Sequence, residues 1–221
     1  MTTSFTDLPL RDQNRARTRV ALVNALADRL HDRQLEDISV AELCREAGVS
    51  QGTFFNHFPS KADLLTRFIQ HWSLQVVVIA RQARAEHKSA LAAIEALFAA
   101  TGQATAASPG LMLETIAHQA RMPAELHLEP VEHAERLLLL PEVEDVMSLP
   151  DTGLQGILPV LLAQAIDQGE LPASADVRTL TLALASVFFG VPLVMGRRMP
   201  NLITPLYLRQ LQLIWAGARG L

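Results

Sequence analysis

The segment from residue 39 to residue 58, SVAELCREAGVSQGTFFNHF, constrains the fold of this chain more than any other. Apolar residues recur between Val40 and Ala47 at intervals of three and four, so they form one face of a short helix. Ser39 and Glu42 fit the capping box that begins such a helix. Gly48 stands where a helix often ends in a left-handed residue. The pattern predicts two short helices joined by a tight turn.

The second helix of this pair follows Ser50, whose hydroxyl can cap it, and ends before Pro59. It carries polar side chains, among them Gln51, Asn56 and His57, which can donate to phosphates or read base edges. In a helix-turn-helix unit, the second helix enters the major groove of DNA. The segment therefore predicts a DNA-binding unit, although the helical pattern alone also fits an ordinary helical hairpin in an all-α core.

The run from Ile38 to Leu65 resembles the DNA-binding domain of the TetR family of transcriptional regulators. The family pattern has Val-Ser-x-Gly-Thr, two aromatic residues, His-Phe and a Lys, followed by acidic and leucine residues. The matching residues here are Val49, Ser50, Gly52, Thr53, Phe54, Phe55, His57, Phe58, Lys61, Asp63, Leu64 and Leu65. Phe55 departs from the pattern, because the family usually has a tyrosine there. A phosphate contact from that tyrosine hydroxyl would be missing.

The resemblance implies that DNA contacts come from the start of the first long helix and from the helix-turn-helix. The predicted DNA-binding residues are Arg17, Thr18, Ser39, Ser50, Gln51, Gly52, Thr53, Phe55, Asn56, His57 and Lys61. Of these, Gln51, Thr53 and Asn56 are expected to contact bases. The residues expected to position the helix on the DNA backbone are Ser50, Phe55, His57 and Lys61.

Composition favours an all-α protein, because Ala and Leu dominate the sequence and alternating strand patterns are hard to find. A chain of 221 residues has room for a small domain and a larger one. We expect a disordered arm over residues 1–10 and a three-helix DNA-binding domain over 11–70. By the resemblance, residues 71–221 form a helical domain for ligand binding and dimerisation, and only the helical layout carries over to that part.

The net charge of -4 does not by itself favour DNA binding, but the charge is unevenly distributed. Residues 1 to 70 hold nine Lys and Arg and nine Asp and Glu, so the acidic excess lies in the rest of the chain. Arg11, Arg15, Arg17 and Arg19 fall close together. Local charge decides DNA contact more than the sum over the chain does. The alternative is that these arginines belong to a solvated helix start or a disordered arm.

The sequence favours a cytoplasmic protein without a membrane partner. The N-terminus has no apolar signal core, and we expect no apolar stretch of the ~18 residues that a membrane span needs. Cys44 is the one cysteine, so no disulfide forms within the chain. Its place on the apolar face of a helix predicts a small buried core residue, and the alternative is a redox-sensing thiol.

A long helix is expected to begin after Ser60, with Asp63 completing a capping box. By the resemblance it links the two domains, so coupling between them would pass through it. Further helices should follow to the C-terminus, separated by prolines and glycines. The acidic run from Glu125 to Asp151 is interpreted as a solvated face.

Two apolar helices, expected at residues 152–168 and 174–196, are candidates for a homodimer interface that the resemblance also implies. The predicted interface residues are Leu154, Ile157, Leu158, Leu161, Leu162, Leu180, Leu184, Val187, Phe188 and Val191. The alternative is that both apolar stripes face the core of their own subunit. A two-fold dimer would present two recognition helices about one DNA turn apart, which matches a palindromic operator.

The effector site is the least constrained part of the chain. Family members bind a small molecule in the C-terminal domain, and we expect a mostly apolar ligand here. The candidate ligand-binding residues are Trp72, Phe98, Met112, Ile116, His118, Gln119, Met122 and Phe188. Each of these also fits an ordinary core or surface role. Ligand entry would release a repressor from its operator, although the sequence does not exclude activation.

Other functions are less consistent with the sequence. It lacks a phosphate-binding glycine loop, a GxSxG elbow and HExxH, so we expect no enzyme and no cofactor. His118, His127 and His133 lie near acidic residues but without metal-ligand spacing, which argues against a metal site. The main alternative is a helical ligand-binding or protein-interaction module whose DNA-binding domain is silent.

Overall fold

The computed structural model of the chain describes residues 4–122 and 129–220. These residues form helices and connecting turns without any strand, which confirms the predicted all-α class. The helices are α1 (Leu10–Arg29), α2 (Val40–Ala47), α3 (Gln51–His57), α4 (Lys61–Glu86), α5 (Ala90–Ala107), α6 (Pro109–Arg121), α7 (His133–Leu139), α8 (Gly153–Asp167), α9 (Val177–Met195) and α10 (Ile203–Arg219).

The N-terminal residues that the structure describes are ordered, where the sequence suggests a disordered arm. Phe5–Asp7 form a 3-10 turn, in which the Ser4 backbone N–H donates to the Asp7 carboxylate at 2.9 Å. The guanidinium of Arg17 lies over the Phe5 ring, 5.1 Å from its centroid. A cation-π contact and a local cap therefore hold the turn against α1. Residues 1 to 3 lie outside the described residues.

The chain divides into two compact units. The first comprises residues 1–75 and 114–151, and the second comprises residues 76–113 and 152–221. α4 and α6 contribute residues to both units. The sequence patterns gave no sign that residues 114–151 would group with the N-terminal helices.

In the first unit, α1 packs against α2 and α7, and α2 packs against α3. Its core is made of apolar side chains that are fully removed from solvent. They include Leu22, Leu26, Leu30, Ile38, Leu43, Phe54, Leu64 and Leu65. The helix-turn-helix is thus fixed on a small hydrophobic core of its own.

Arg136 organises the irregular segment that follows α7. Its buried guanidinium donates to the carbonyls of Val131, Val146 and Leu149 at 2.8 to 3.0 Å, and it pairs with Asp151. One side chain thereby satisfies carbonyls that have no helical partner.

The expected solvated acidic face over residues 125–151 is wrong at Glu135, which is fully buried. Glu125 lies outside the described residues. The reason for burial is the set of cationic and imidazole partners around Glu135, described below.

In the second unit, α10 packs against α5 and α9, while α8 packs against the same two helices. The contact between α5 and α10 is unusually close at Gly102. A Cβ there would lie 3.0 Å from the Thr204 Cα and 2.5 Å from its Oγ1. Glycine therefore allows the two backbones to approach as they do.

The centre of the second unit is aromatic. The rings of Phe98, Phe188 and Tyr207 are fully buried. Phe98 meets both of the others edge to face, with centroids 5.3 and 5.2 Å apart. Such pairs add to the hydrophobic stabilisation of a core.

Several predicted interface residues belong to this core as well. Leu158, Leu162, Leu184 and Phe188 are fully buried within the unit, and Leu154 and Leu161 are nearly so. They offer no surface to a second subunit. Ile157, Leu180, Val187 and Val191 are partly exposed. The exposed apolar residues of α8 and α9 are instead Val160, Leu182, Leu193 and Val194.

The expectation that no apolar stretch reaches membrane-spanning length is also wrong. Ala90–Ala107 and Val177–Met195 are long and apolar enough by length and composition. Half of the first window is buried inside the structure, as in a core helix, but only 17% of the second. α9 therefore keeps a large apolar surface that the other described residues do not cover.

Pro192 lies within α9 and lacks an N–H, so the carbonyl of Phe188, four residues earlier, loses its helical donor. The Tyr207 hydroxyl donates to that carbonyl at 2.5 Å. Burial raises the pKa of Tyr207, which keeps the hydroxyl protonated. The Tyr207 hydroxyl on α10 thus replaces the backbone donor that Pro192 removes from α9.

We predict that Tyr207→Phe lowers the free energy of unfolding by about 0.5–1.5 kcal/mol, because it removes a buried hydrogen bond to the Phe188 carbonyl. In a Pro192→Ala background, where the backbone N–H returns, the same change should cost less. Chemical denaturation of the four proteins in this double-mutant cycle measures the difference. Equal costs in both backgrounds would contradict the assignment.

Candidate nucleic-acid interface

The start of α2 and the turn after it follow the predicted geometry. The Ser39 hydroxyl accepts from the Glu42 N–H at 3.2 Å, and the Ser39 N–H donates to the Glu42 carboxylate at 2.9 Å. Gly48 has φ 68°, a left-handed conformation that favours glycine. Local hydrogen bonds therefore set the direction in which α3 leaves the turn.

α3 is fixed at both ends. The Ser50 hydroxyl accepts from the Thr53 N–H at 3.0 Å, and α3 ends at Phe58, just before Pro59. Phe54 is the buried residue of α3, and it anchors the helix to the core. The opposite side of the helix is left to solvent.

None of the predicted DNA-binding residues is buried. The exposed ones are Arg17, Ser39, Ser50, Gln51, Gly52, Phe55 and Asn56, and the half-buried ones are Thr18, Thr53, His57 and Lys61. The structure thus brings the α2–α3 candidates to the surface of one small unit. Phe55 has 54% of its surface exposed and meets Phe54 edge to face.

Three hydroxyls in this set already have local partners. Ser39 donates to the Glu42 carboxylate at 2.9 Å, and the hydroxyls of Ser50 and Thr53 are 2.9 Å apart. Their contribution to helix geometry is therefore established by these bonds, while their contact with DNA remains a prediction.

Lys61 has a role that its motif position did not reveal. Its ammonium donates to the carbonyls of Leu35, Ile38 and Glu36 at 2.7, 2.5 and 3.3 Å. An ammonium has three N–H donors, so these bonds use all of them. Lys61 therefore ties the start of α4 to the turn that precedes α2.

On α1, Arg17 is exposed and donates to the side-chain oxygens of Gln13 and Asn14 at 3.1 and 3.3 Å. The pKa of His57 on α3 is lowered, first by burial and then by the positive charges of Arg19 and Arg15. The imidazole thus acts as a neutral hydrogen-bonding group to a lower pH than an ordinary histidine.

A buried cluster of charged residues connects α1, α4 and α7 of the first unit. The Glu135 carboxylate on α7 accepts from Arg19 of α1 at 2.9 Å and lies 2.8 Å from the His71 Nε2 of α4. Burial opposes its ionisation, but His71, Arg67 and Arg19 together lower the pKa of Glu135. Sequence spacing gave no signal for this cluster, since Arg19 and Glu135 are 116 residues apart.

The comparison with known families agrees with this geometry. Residues 22–68 match the profile of the family described as bacterial regulatory proteins, tetR family. This range contains α2 and α3 together with their caps. Residues 22–68 therefore carry the DNA-binding domain of the tetR family of transcriptional regulators. A DNA-binding domain of this family makes the chain a DNA-binding regulator.

Solved structures extend the similarity to nearly the whole length of this chain. The fatty acid degradation regulator FadR from Bacillus halodurans is 20% identical, with a TM-score of 0.59 over 92% of this chain and 98% of that one. A FadR from Bacillus subtilis in complex with stearoyl-CoA is 19% identical, with a TM-score of 0.58 over 91% and 97%. A TetR-family regulator from Streptomyces coelicolor has a TM-score of 0.60 at 19% identity, over 96% and 100%.

At these identities the structural similarity establishes the fold of the regulator alone. No curated protein sequence matches the chain significantly.

The predicted ligand-binding residues of the regulator fall in both units. Phe98, Met112 and Phe188 belong to the second unit, where Phe98 and Phe188 are fully buried in the aromatic core. Trp72, Ile116, His118, Gln119 and Met122 belong to the first. The His118 Nε2 is 2.8 Å from the Thr66 hydroxyl, and His127 lies outside the described residues. Among residues 4–122 and 129–220, no cluster of His, Cys, Asp and Glu could hold a metal ion.

Gly52 offers a direct test of the interface, because nothing in the regulator requires a glycine there. A Cβ at this position would meet only the Ser50 hydroxyl, at an ordinary 3.6 Å. Gly52→Ala should stabilise the fold by about 0.5–1 kcal/mol, since alanine is the better helix former. If DNA approaches the helix closely at Gly52, the same variant should bind DNA about tenfold or more weakly.

Thermal denaturation and a DNA-binding titration on the same preparation measure both effects. Gly217→Ala in α10 is a matched control, because a Cβ there also meets open space. It should gain similar stability and leave DNA binding unchanged. A stabilised Gly52→Ala with wild-type DNA affinity would exclude close approach at this residue.

Proposed function

We propose that the regulator is a repressor that binds a palindromic operator as a homodimer and is released by a small, mostly apolar effector. The observation that carries this proposal is the exposed polar face of α3. Gln51 and Asn56 are exposed, and neither side chain has a hydrogen-bond partner among the described residues. Polar groups held on a rigid helix without an internal role are suited to reading base edges.

The predicted DNA-binding residues differ in whether their side chains already form hydrogen bonds within the protein. Gln51 and Asn56 are free to contact bases, and Thr53 shares its hydroxyl with Ser50. Arg17 and His57 are suited to backbone phosphates, because guanidinium and imidazole N–H groups are good phosphate donors. Phe55 supplies an apolar surface without the hydroxyl that the family usually has. Lys61 acts first by holding the α2–α3 pair in place.

The homodimer is supported by the uncovered surface of α9. Leu182, Leu193 and Val194 have 62, 61 and 75% of their surface exposed, and Val160 on α8 has 50%. Monomeric soluble proteins rarely leave such apolar groups together on the surface. Pairing of α8 and α9 with their copies would cover them and give two recognition helices for two half-sites roughly 34–36 Å apart.

The proposal of a mostly apolar effector is based on a protein with a similar fold. One structure with this fold contains stearoyl-CoA, whose acyl chain is apolar. The described core of the present second unit is likewise made of leucine and aromatic side chains. A cytoplasmic location fits a protein that must reach DNA. An effector shifts the DNA-binding equilibrium only to the extent that it binds the two states differently.

The second candidate function is a ligand-binding or interaction module with a silent DNA-binding domain. Internal pairing of two arginines of the first unit favours it, since Arg29 and Arg33 form ion pairs with Glu46 and Glu42. DNA selection separates the two possibilities.

Selection of random DNA duplexes on the purified protein should enrich a palindromic sequence at two salt concentrations. Gln51→Ala should then relax the preference at one position in each half-site, at a cost of about 1–3 kcal/mol for the preferred sequence. Arg209→Ala, an exposed change on α10, is the control and should keep the wild-type preference. No enriched sequence from folded protein would favour the silent-domain alternative.

A charge on the exposed face of α9 should break the dimer. Leu193→Glu is expected to give a folded monomer in light scattering and to lose most operator binding, because each half-site then binds alone. Leu10→Glu is the matched control, since Leu10 is 68% exposed but lies on α1. A Leu193→Glu protein that is still dimeric would place the interface elsewhere.

A further inference from the structure

A cavity of about 470 Å³ lies within the first unit, beside the recognition helix. α1 lines it with Arg15 and Arg19, α3 with Asn56 and His57, and α4 with Arg67. Its volume falls in the range of small-molecule sites. Three guanidinium groups around one cavity suggest an anionic occupant.

Arg67 is the least compensated of the three. It is only 5% exposed, yet among the described residues its nearest carboxylate oxygen, on Glu135, is 4.0 Å away. Its other contact is a long hydrogen bond of 3.4 Å to the Pro130 carbonyl. Burial is the main cause that lowers the pKa of Arg67, in keeping with insufficient pairing. A buried guanidinium normally has closer partners than these.

Arg19 competes with Arg67 for the same carboxylate. It is 4% exposed and takes one Glu135 oxygen at 2.9 Å, while His71 lies 2.8 Å from the other. Within the described part of the chain, the Arg19 Nε is buried without a hydrogen-bond partner. Glu132 contributes a second carboxylate, but it is shared between Arg19 and Arg15. The two buried guanidinium groups therefore share the buried carboxylate of Glu135. Arg19 has Glu132 as a second carboxylate partner, whereas the described residues give Arg67 only the 4.0 Å carboxylate contact to Glu135.

The acidic residues on the cavity wall do not supply Arg67 with a closer carboxylate partner. Asp63 is exposed and accepts from the Ser60 hydroxyl at 2.6 Å as part of the α4 cap. Glu129 is also exposed. The charges nearest His57 act as a net positive field, since Arg19 and Arg15 outweigh Glu135 and Glu132 in their effect on its pKa.

We propose that this cavity is a binding site for an anionic oxygen group, a carboxylate or a phosphate, carried by a small molecule. Arg67 and Arg15 would bind the anion, and the Arg19 Nε would gain its missing acceptor. The ring of Phe55 and the side chain of Pro59 line the same cavity and would contact the rest of the molecule. The site is separate from the effector site proposed above, and it does not depend on DNA binding.

The site is tested with inorganic phosphate and with citrate on the full-length protein without DNA. Isothermal titration is run at constant ionic strength, with chloride as the replaced anion. The wild type should bind at least one of the two probes saturably. Arg67→Gln should weaken that binding about tenfold or more, and Arg15→Gln about threefold, because each removes charged hydrogen-bond donors.

Arg11→Gln is the matched control for Arg15→Gln. Arg11 is exposed one helical turn earlier on α1 and does not line the cavity. It should bind the probe as the wild type does. Arg15 is partly exposed, so its variant remains informative even if Arg67→Gln fails to fold. The proposal is overturned if neither probe binds saturably, or if Arg15→Gln and Arg11→Gln bind equally well.

A second titration identifies the source of the anionic group. DNA binding is measured with and without saturating probe at matched ionic strength. DNA affinity that does not fall, with the probe still bound, supports a free small molecule. Competition in the wild type, together with weaker DNA binding by Arg15→Gln than by Arg11→Gln when no probe is present, would instead assign the cavity to a DNA backbone phosphate and overturn the small-molecule assignment. If DNA binding fails altogether, the probe titration still decides the anion site.

Discussion

The fully buried carboxylate of Glu135 is the interaction on which the first unit depends. It joins α7 to Arg19 of α1 and to His71 of α4, so one charge connects the three helices that surround the recognition unit. Removing one partner from such a buried pair typically costs about 3–5 kcal/mol, because the remaining charge stays without compensation. The cluster therefore fixes where α1 and α4 lie beneath α3. The same shortage of carboxylates leaves Arg67 with only long contacts.

The recognition helix α3 is positioned almost entirely by hydrogen bonds between residues close in sequence. The caps at Ser39 and Ser50 and the left-handed Gly48 determine the turn, and Phe54 anchors α3 in the core. Lys61 adds a longer connection, from α4 to the turn before α2. Because these contacts use backbone groups and small hydroxyls, the side chains of Gln51 and Asn56 keep their hydrogen-bonding capacity. Positioning and recognition are thus divided between different residues of a very short segment.

This division explains which features could be predicted from the sequence. Caps and glycine turns act over three or four residues, so the bounds of α2 and α3 follow from spacing alone. The pairing of Arg19 with Glu135 joins positions 116 residues apart, and nothing in either local sequence shows it. The apolar pattern of α9 was misleading for another reason. Leu184 and Phe188 face the core while Leu182 and Leu193 face outward, and periodicity cannot assign the inner face when both faces are apolar.

The charge distribution also limits how the regulator can bind DNA. Many cations of the first unit are neutralised internally: Arg19 by Glu135, Arg29 by Glu46 and Arg33 by Glu42. Fewer phosphate contacts release fewer counterions, so sequence-independent affinity should be modest and its salt dependence shallow. Base contacts from α3 and the joining of two half-sites must then supply a larger share of the binding free energy. A single recognition helix with few phosphate contacts would bind its half-site weakly. Occupancy of the operator therefore depends on the dimer, which joins the two half-sites in one binding event.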